Sequence, residues 1–166
     1  MRKITQSNLE AAFAGESQAH MKYLIFATQA EREYPNLARL YRAIAFAEQV
    51  HATNHFRVLG HIGSAAENAQ TAIEGETFEV EEMYPAYYEV AKLQEEKNAQ
   101  RTTNWALEAE KGHAVLYGSA LESVKKGKDP AFGTIHVCMI CGYTVDGEAP
   151  DECPVCRAKK DKFKAF

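Results

Sequence analysis

Apolar residues recur at three- and four-residue spacing from position 5 to about 126 with few breaks, a pattern that predicts a mainly α chain. The first helix is expected from about Thr5 to Glu33, ending before Tyr34-Pro35-Asn36. The second carries Leu37, Leu40, Ile44, Glu48, His51, His55 and Leu59 along one stripe. Gly60 and Gly63 close it, as glycines commonly do at helix C-termini. About a dozen residues follow, then a third helix from around Glu74 and a fourth from around Ala99 to Val124. Pro85 lies inside the third and should kink it or mark an irregular turn. Lys125-Lys126-Gly127-Lys128-Asp129-Pro130 reads as helix stop and linker, and a turn-rich module begins near Ile135. Two domains are expected, 1–134 and 135–166.

A short first connection, a long second and a tight third describe a ferritin-like four-helix bundle with one long crossover rather than a simple up-down bundle. The two halves of the helical region also repeat. Gly15-Glu16-Ser17 is echoed by Gly75-Glu76-Thr77, and Ala47-Glu48-Gln49-Val50-His51-Ala52 by Ala109-Glu110-Lys111-Gly112-His113-Ala114. This looks like a duplicated helical hairpin.

The acids sit on apolar stripes. Glu48 and His51 interrupt the stripe of the second helix, and Glu110 and His113 that of the fourth, which continues to Tyr117 and Leu121. Glu16 shares a face with Leu9, Phe13, Tyr23 and Ala27, while Glu76 and Glu79 lead into Met83, Tyr87 and Val90. Residues three and four apart share a helix face, so these carboxylates should point inward. Burying a carboxylate without compensation costs several kcal/mol, and a pair of cations removes that cost. A Glu from each of two helices plus Glu-x-x-His from each of the other two is the di-iron or di-manganese carboxylate pattern. One Glu-x-x-His is ordinarily a solvated pair; two embedded in the same repeat, each following Gly-Glu-Ser/Thr, point to metal. His20 reads as a bundle or surface residue, His61 as following the second helix, and His136 as a strand residue near the cysteines. His55 stands two turns from Glu48, about 10 Å of rise, outside direct ligation. Trp105 and most tyrosines read as packing; Tyr23 and Tyr84 stand near the glutamates.

Charge and cysteine usage narrow the class. The net charge of −4 argues against a general nucleic-acid binder, which would show a basic stripe. Residues 135–166 carry five basic and five acidic side chains, and without the five inward glutamates the rest holds 14 basic against 13 acidic. The acidity therefore belongs to the site. The N-terminus lacks an apolar signal core, and no stretch approaches the ~20 residues needed to span a bilayer, so no membrane partner and a cytoplasmic location are expected. All four cysteines fall in Cys138-Met-Ile-Cys141 and Cys153-Pro-Val-Cys156. Two CxxC knuckles in an intracellular chain read as a tetrahedral thiolate site, open to zinc or iron on geometry alone. N–H groups such as that of Gly142 are expected to donate to sulfur, with Tyr143, Phe163 and Phe166 as a small aromatic core.

Across nearly its whole length the sequence resembles the rubrerythrin family, with the same domain order. Glu16 with Tyr23, Glu48-x-x-His51, Gly75-Glu76-Thr-Phe-Glu79 with Met83-Tyr84-Pro85, and Glu110-x-x-His113 stand where that family keeps its di-iron ligands and nearby tyrosines. Cys138, Cys141, Cys153 and Cys156 match its rubredoxin-like iron centre. The resemblance implies Glu48 and Glu110 bridging two irons, Glu16 and Glu76 terminal, His113 fixed, and one iron exchanging Glu79 for His51 on reduction. Glu79 aligns with Ala19 in the repeat, which fits that asymmetry. The resemblance also implies a hydrogen peroxide reductase of oxidative-stress defence. Its electrons would come from NAD(P)H through a separate reductase or rubredoxin. A ferroxidase or iron-handling protein would use the same ligands, and a non-catalytic zinc scaffold is the reading without redox chemistry; iron-loaded protein should be red and zinc protein colourless. The roughly eight-residue linker suggests that the cysteine module cannot reach back along its own bundle. A head-to-tail homodimer passing electrons between subunits is therefore expected.

Overall fold

In a computed structural model that describes residues 1–166, helices account for nearly everything before the cysteine module. The chain divides into two compact units, Met1–Gly63 and Ser64–Phe166.

The first unit is a hairpin of α1 (Lys3–Ala30) and α2 (Pro35–Leu59). Pro35 sits at the start of α2, where its missing N–H is not needed. Gly60 ends that helix at φ 74°, a left-handed conformation that glycine adopts without a Cβ penalty. What the hairpin buries is small: Ala27 on α1, and Ala38, Ala45 and Ala52 at seven-residue intervals on α2. Short side chains let the two backbones approach closely, and the His20 ring nitrogen Nδ1 donates to the Ala45 carbonyl at 2.8 Å. Phe13 packs against Phe56 in a tilted arrangement with ring centroids 4.9 Å apart, and Arg42 on α2 pairs with Glu31 at the C-terminal end of α1. Leu40, Ile44, Phe46 and Val50 remain exposed in this unit.

The second unit begins with α3 (Ala65–Phe78), passes through a π-helical turn (Glu79–Met83) into α4 (Tyr84–Leu93), and returns along α5 (Lys97–Lys125). The connection from α2 to α3 is therefore only residues 60–64, not the long crossover expected. Ser64 and Glu67 form a capping box: the Ser64 N–H donates to Glu67 Oε2 at 2.7 Å, and the Glu67 N–H to Ser64 Oγ at 3.3 Å. That cap satisfies the first free N–H groups and starts the helix nine residues before Glu74. The irregularity expected near Pro85 is the π turn: Pro85 stands in the first turn of α4, and the Tyr84 N–H reaches Glu79 O.

After α5 the linker leads to a three-stranded antiparallel sheet of order β2-β1-β3, from β1 (Ile135–Cys138), β2 (Thr144–Asp146) and β3 (Phe163–Ala165). Tyr143 and Phe163 meet edge to face at 6.5 Å. Phe166 does not join them: it is 69% exposed, with Lys164 Nζ 4.5 Å from its ring.

Candidate metal centres

The duplicated sequence makes two matching triads. In the first unit, His51 Nδ1 lies 2.9 Å from Glu48 Oε2 and 3.8 Å from Glu16 Oε1. In the second, His113 Nδ1 lies 2.5 Å from Glu110 Oε2 and 3.9 Å from Glu76 Oε2. Each set has its candidate ligand atoms within 4.8 Å of one another. The cause is local: the three-residue spacing of Glu-x-x-His puts both groups on one helix face, and the hairpin partner supplies the second carboxylate at the same level. None of these carboxylates is fully buried.

The second triad concentrates carboxylates in a partly buried setting. Burial, then a hydrogen bond and repulsion from Glu110 and further repulsion from Glu79, push the Glu76 carboxyl up to about 7. Glu79, at the start of the π turn, is also raised by burial and by Glu110, with His113 acting the other way. The Tyr84 hydroxyl is held above its ordinary value by burial and by Glu79, Glu110 and Glu76. Carboxylates that raise one another's pKa in a partly desolvated pocket are offset by a metal cation, so this donor set fits iron. Tyr84 thus stands among the carboxylates as expected. Tyr23 packs with Phe26 and Tyr41, at 6.3 and 6.2 Å.

The four cysteines form a third cluster and none is disulfide-bonded. Cys138 and Cys156 sulfurs are 3.6 Å apart, Cys141 and Cys153 sulfurs 3.5 Å. A tetrahedral metal with sulfur bonds of about 2.3 Å sets its ligands roughly 3.8 Å apart, so the sulfurs stand at ligand spacing. Burial opposes ionisation of Cys138, but N–H groups of Ile140 and Cys141 and the neighbouring thiols bring it below its usual value. Burial pushes the Cys141 and Cys156 thiols up, against the N–H groups of Tyr143 and Ala158. The N–H of Gly142 was expected at sulfur; it donates instead to the Cys138 carbonyl at 2.9 Å. The second knuckle repeats the geometry, with the Arg157 N–H on the Cys153 carbonyl at 3.0 Å. Both turns need positive φ, 83° at Gly142 and 65° at Arg157.

The module docks on α5 of its own chain, which corrects the expectation that the linker is too short. Eight extended residues span roughly 26–29 Å, more than the roughly 18 Å of helix between His113 and Lys125. Thr144 Oγ1 lies 2.9 Å from His113 Nε2, and a Cβ on Gly142 would stand 3.8 Å from that of Ala109. Sequence reasoning missed Thr144, because nothing in a threonine three residues after a knuckle indicates a helix contact 31 residues away. His136 sits beside the cysteines as expected, its Nδ1 donating to the Gly147 carbonyl at 2.6 Å.

A mainly α fold with paired Glu/His triads and a four-cysteine module on a small sheet defines a ferritin-like iron protein with a rubredoxin-like centre. The chain matches the rubrerythrin family over residues 7–121 and the rubredoxin-like domain of rubrerythrin over residues 136–164. It is 46% identical to Rubrerythrin-2 of Clostridium acetobutylicum, over 98% of this chain and 97% of that protein. It is also 35% identical to nigerythrin of Nitratidesulfovibrio vulgaris, over 98% and 86%. The structure of fully reduced, all-ferrous nigerythrin superposes with a TM-score of 0.58 at 33% identity, covering 98% of this chain and 86% of that one. The chain belongs to the rubrerythrin family, whose cofactors are a di-iron site and a four-cysteine iron.

Proposed function

We propose that this protein is a di-iron peroxidase that reduces hydrogen peroxide to water in the cytoplasm. Two electrons and two protons convert one peroxide to two waters. The observation that carries this reading is the four-cysteine module seated directly on the helix bearing Glu110 and His113, an arrangement suited to delivering electrons to the triad. We assign residues 1–134 to the di-iron part and 135–166 to the electron-delivering part. Glu16, Glu48, His51, Glu76, Glu79, Glu110 and His113 would hold the iron pair, and Cys138, Cys141, Cys153 and Cys156 the single iron. Iron held by these carboxylates would supply the two electrons needed for O–O cleavage.

The protein's own groups do the rest. Tyr84 keeps its proton, because burial and three carboxylates oppose its ionisation, so it is a hydrogen-bond and proton donor at neutral pH. An apolar cavity of about 310 Å³ beside His113, lined by Leu116, Tyr117, Phe132, Ile135 and Thr144, offers a small oxidant a route to the ring. The two histidines differ in freedom. His51 is 54% exposed and bonded only within its triad, whereas His113 is 25% exposed and bonded on both ring nitrogens. That difference supports His51 as the ligand that exchanges with Glu79 and His113 as the fixed one. Tyr23 is assigned to the first triad on its place in the repeat. The source of electrons would be an NAD(P)H-linked reductase or a rubredoxin. A homodimer would cover the apolar residues, Leu40 and Ile44 among them, that the α1–α2 hairpin leaves open.

Anaerobic reduction of iron-loaded protein followed by one equivalent of peroxide tests the reading. Both iron centres should reoxidise as peroxide disappears. Rapid oxidation of added ferrous ions without peroxide turnover would favour iron handling, and colourless protein without turnover a zinc scaffold.

A further inference from the structure

We propose that Thr144 is a positioning residue that fixes the His113 ring and couples the four-cysteine module to the Glu76–Glu110–His113 triad of the same chain. The proposal rests on the reading of that triad as a metal site. The Thr144 hydroxyl has one proton, and it donates it to the Gly142 carbonyl at 2.9 Å. Toward His113 Nε2, also at 2.9 Å, the hydroxyl oxygen can then only accept. Nε2 must therefore carry the ring proton in the neutral imidazole. Nδ1 is left as the lone-pair nitrogen, and it is the atom that faces Glu110 and Glu76. A partner on one ring nitrogen that sets the tautomer and aims the other at a metal is the usual means of orienting a histidine ligand.

The same contacts form a short route between the centres. From the His113 ring one hydrogen bond leads to the Thr144 hydroxyl and a second to the Gly142 carbonyl, and one peptide link joins Gly142 to Cys141. The close packing of this stretch keeps the route in place. A Cβ on Gly142 would be 3.8 Å from Ala109 Cβ, and one on Gly112 would be 3.8 Å from the Thr144 carbonyl oxygen. Each transfer along this route would move one electron from a ferrous ion held by Cys138, Cys141, Cys153 and Cys156 to a ferric ion held by the triad, with no proton moving.

The test uses full-length, iron-loaded protein, reduced anaerobically and mixed with peroxide, with the visible absorption of the cysteine-bound iron followed in a stopped-flow instrument. Thr144→Val keeps the shape and removes the hydroxyl, and should slow reoxidation of that iron about tenfold, a change of the size that loss of one hydrogen bond produces. Thr144→Ser keeps the hydroxyl and should stay within about twofold of the parent. A second readout is independent of turnover and of any variant. Nitrogen-15 NMR of the zinc-substituted parent should show His113 with a slowly exchanging proton on Nε2 and none on Nδ1. Equal rates for parent and Thr144→Val, or a Thr144→Ser rate as slow as that of Thr144→Val, would overturn the proposal. So would a proton on Nδ1 with the metal on Nε2. A parent that binds no metal at His113 removes the underlying metal reading, and the proposal with it. A parent that binds metal there without any dependence on Thr144 removes the proposal alone.

Discussion

Stripping the metal should leave a protein whose stability falls as pH rises, and Glu76 sets the size of the effect. Its carboxyl lies about 7 in the folded chain against 4.5 for the free group, chiefly through burial and then through Glu110 and Glu79. The folded state therefore holds this proton more tightly than the unfolded state. The associated stability is fully present below pH 4.5 and is lost as pH rises to about 7. A shift of that size corresponds to roughly 3 kcal/mol at full effect, and screening by the solvent that still reaches the side chain reduces it to about 1–3 kcal/mol. In a chain of this length the midpoint of thermal unfolding should drop by roughly 2–12 °C. The assay is thermal unfolding of chelator-treated protein between pH 4 and 8, beside metal-loaded protein and the Glu76→Gln variant. The loaded protein should lose the downward trend, because a cation stabilises the ionised carboxylate. Glu76→Gln should be flatter than the parent and more stable above pH 7. Identical pH profiles for metal-free parent and Glu76→Gln would refute the assignment of the charge strain to this triad.

Four further outcomes are expected. Glu110→Ala should lose carboxylate-held iron and peroxide turnover while keeping the cysteine-bound iron, as read by iron per chain together with visible absorption. His51→Ala should still load iron but should react more slowly with peroxide after reduction; rapid-mixing traces equal to the parent would remove the ligand exchange. Ser64→Ala removes the acceptor of the α3 capping box and should cost about 1 kcal/mol in urea unfolding. Mixing inactive Glu110→Ala with inactive Cys153→Ser chains should restore no activity in confirmed heterodimers. The intact module then sits on a disabled triad and the intact triad under a disabled module; recovery would show transfer between subunits.

Much of the site was legible because helix geometry turns sequence spacing into shape. Glu48 and His51, and Glu110 and His113, are three residues apart, and that spacing alone puts each pair on one face. The CxxC knuckles carry their own turns, so the sulfur cluster followed from local sequence too. Pro85 announced an irregular turn, though not that it would be π-helical. The start of α3 went unread because its signal is a two-residue capping exchange, Ser64 with Glu67, rather than an apolar stripe. The docking of the cysteine module on α5 depends on contacts between residues far apart in the chain. Gly142 rests on Ala109 and Thr144 bonds His113, and no spacing rule relates those positions. Local chemistry brought the candidate ligands together, and the sequence by itself determined their grouping through the helix and knuckle periods. Which group orients His113, and which chain's sulfurs lie beside it, only the tertiary structure decided, because an extended linker is compatible with many placements and packing selects among them.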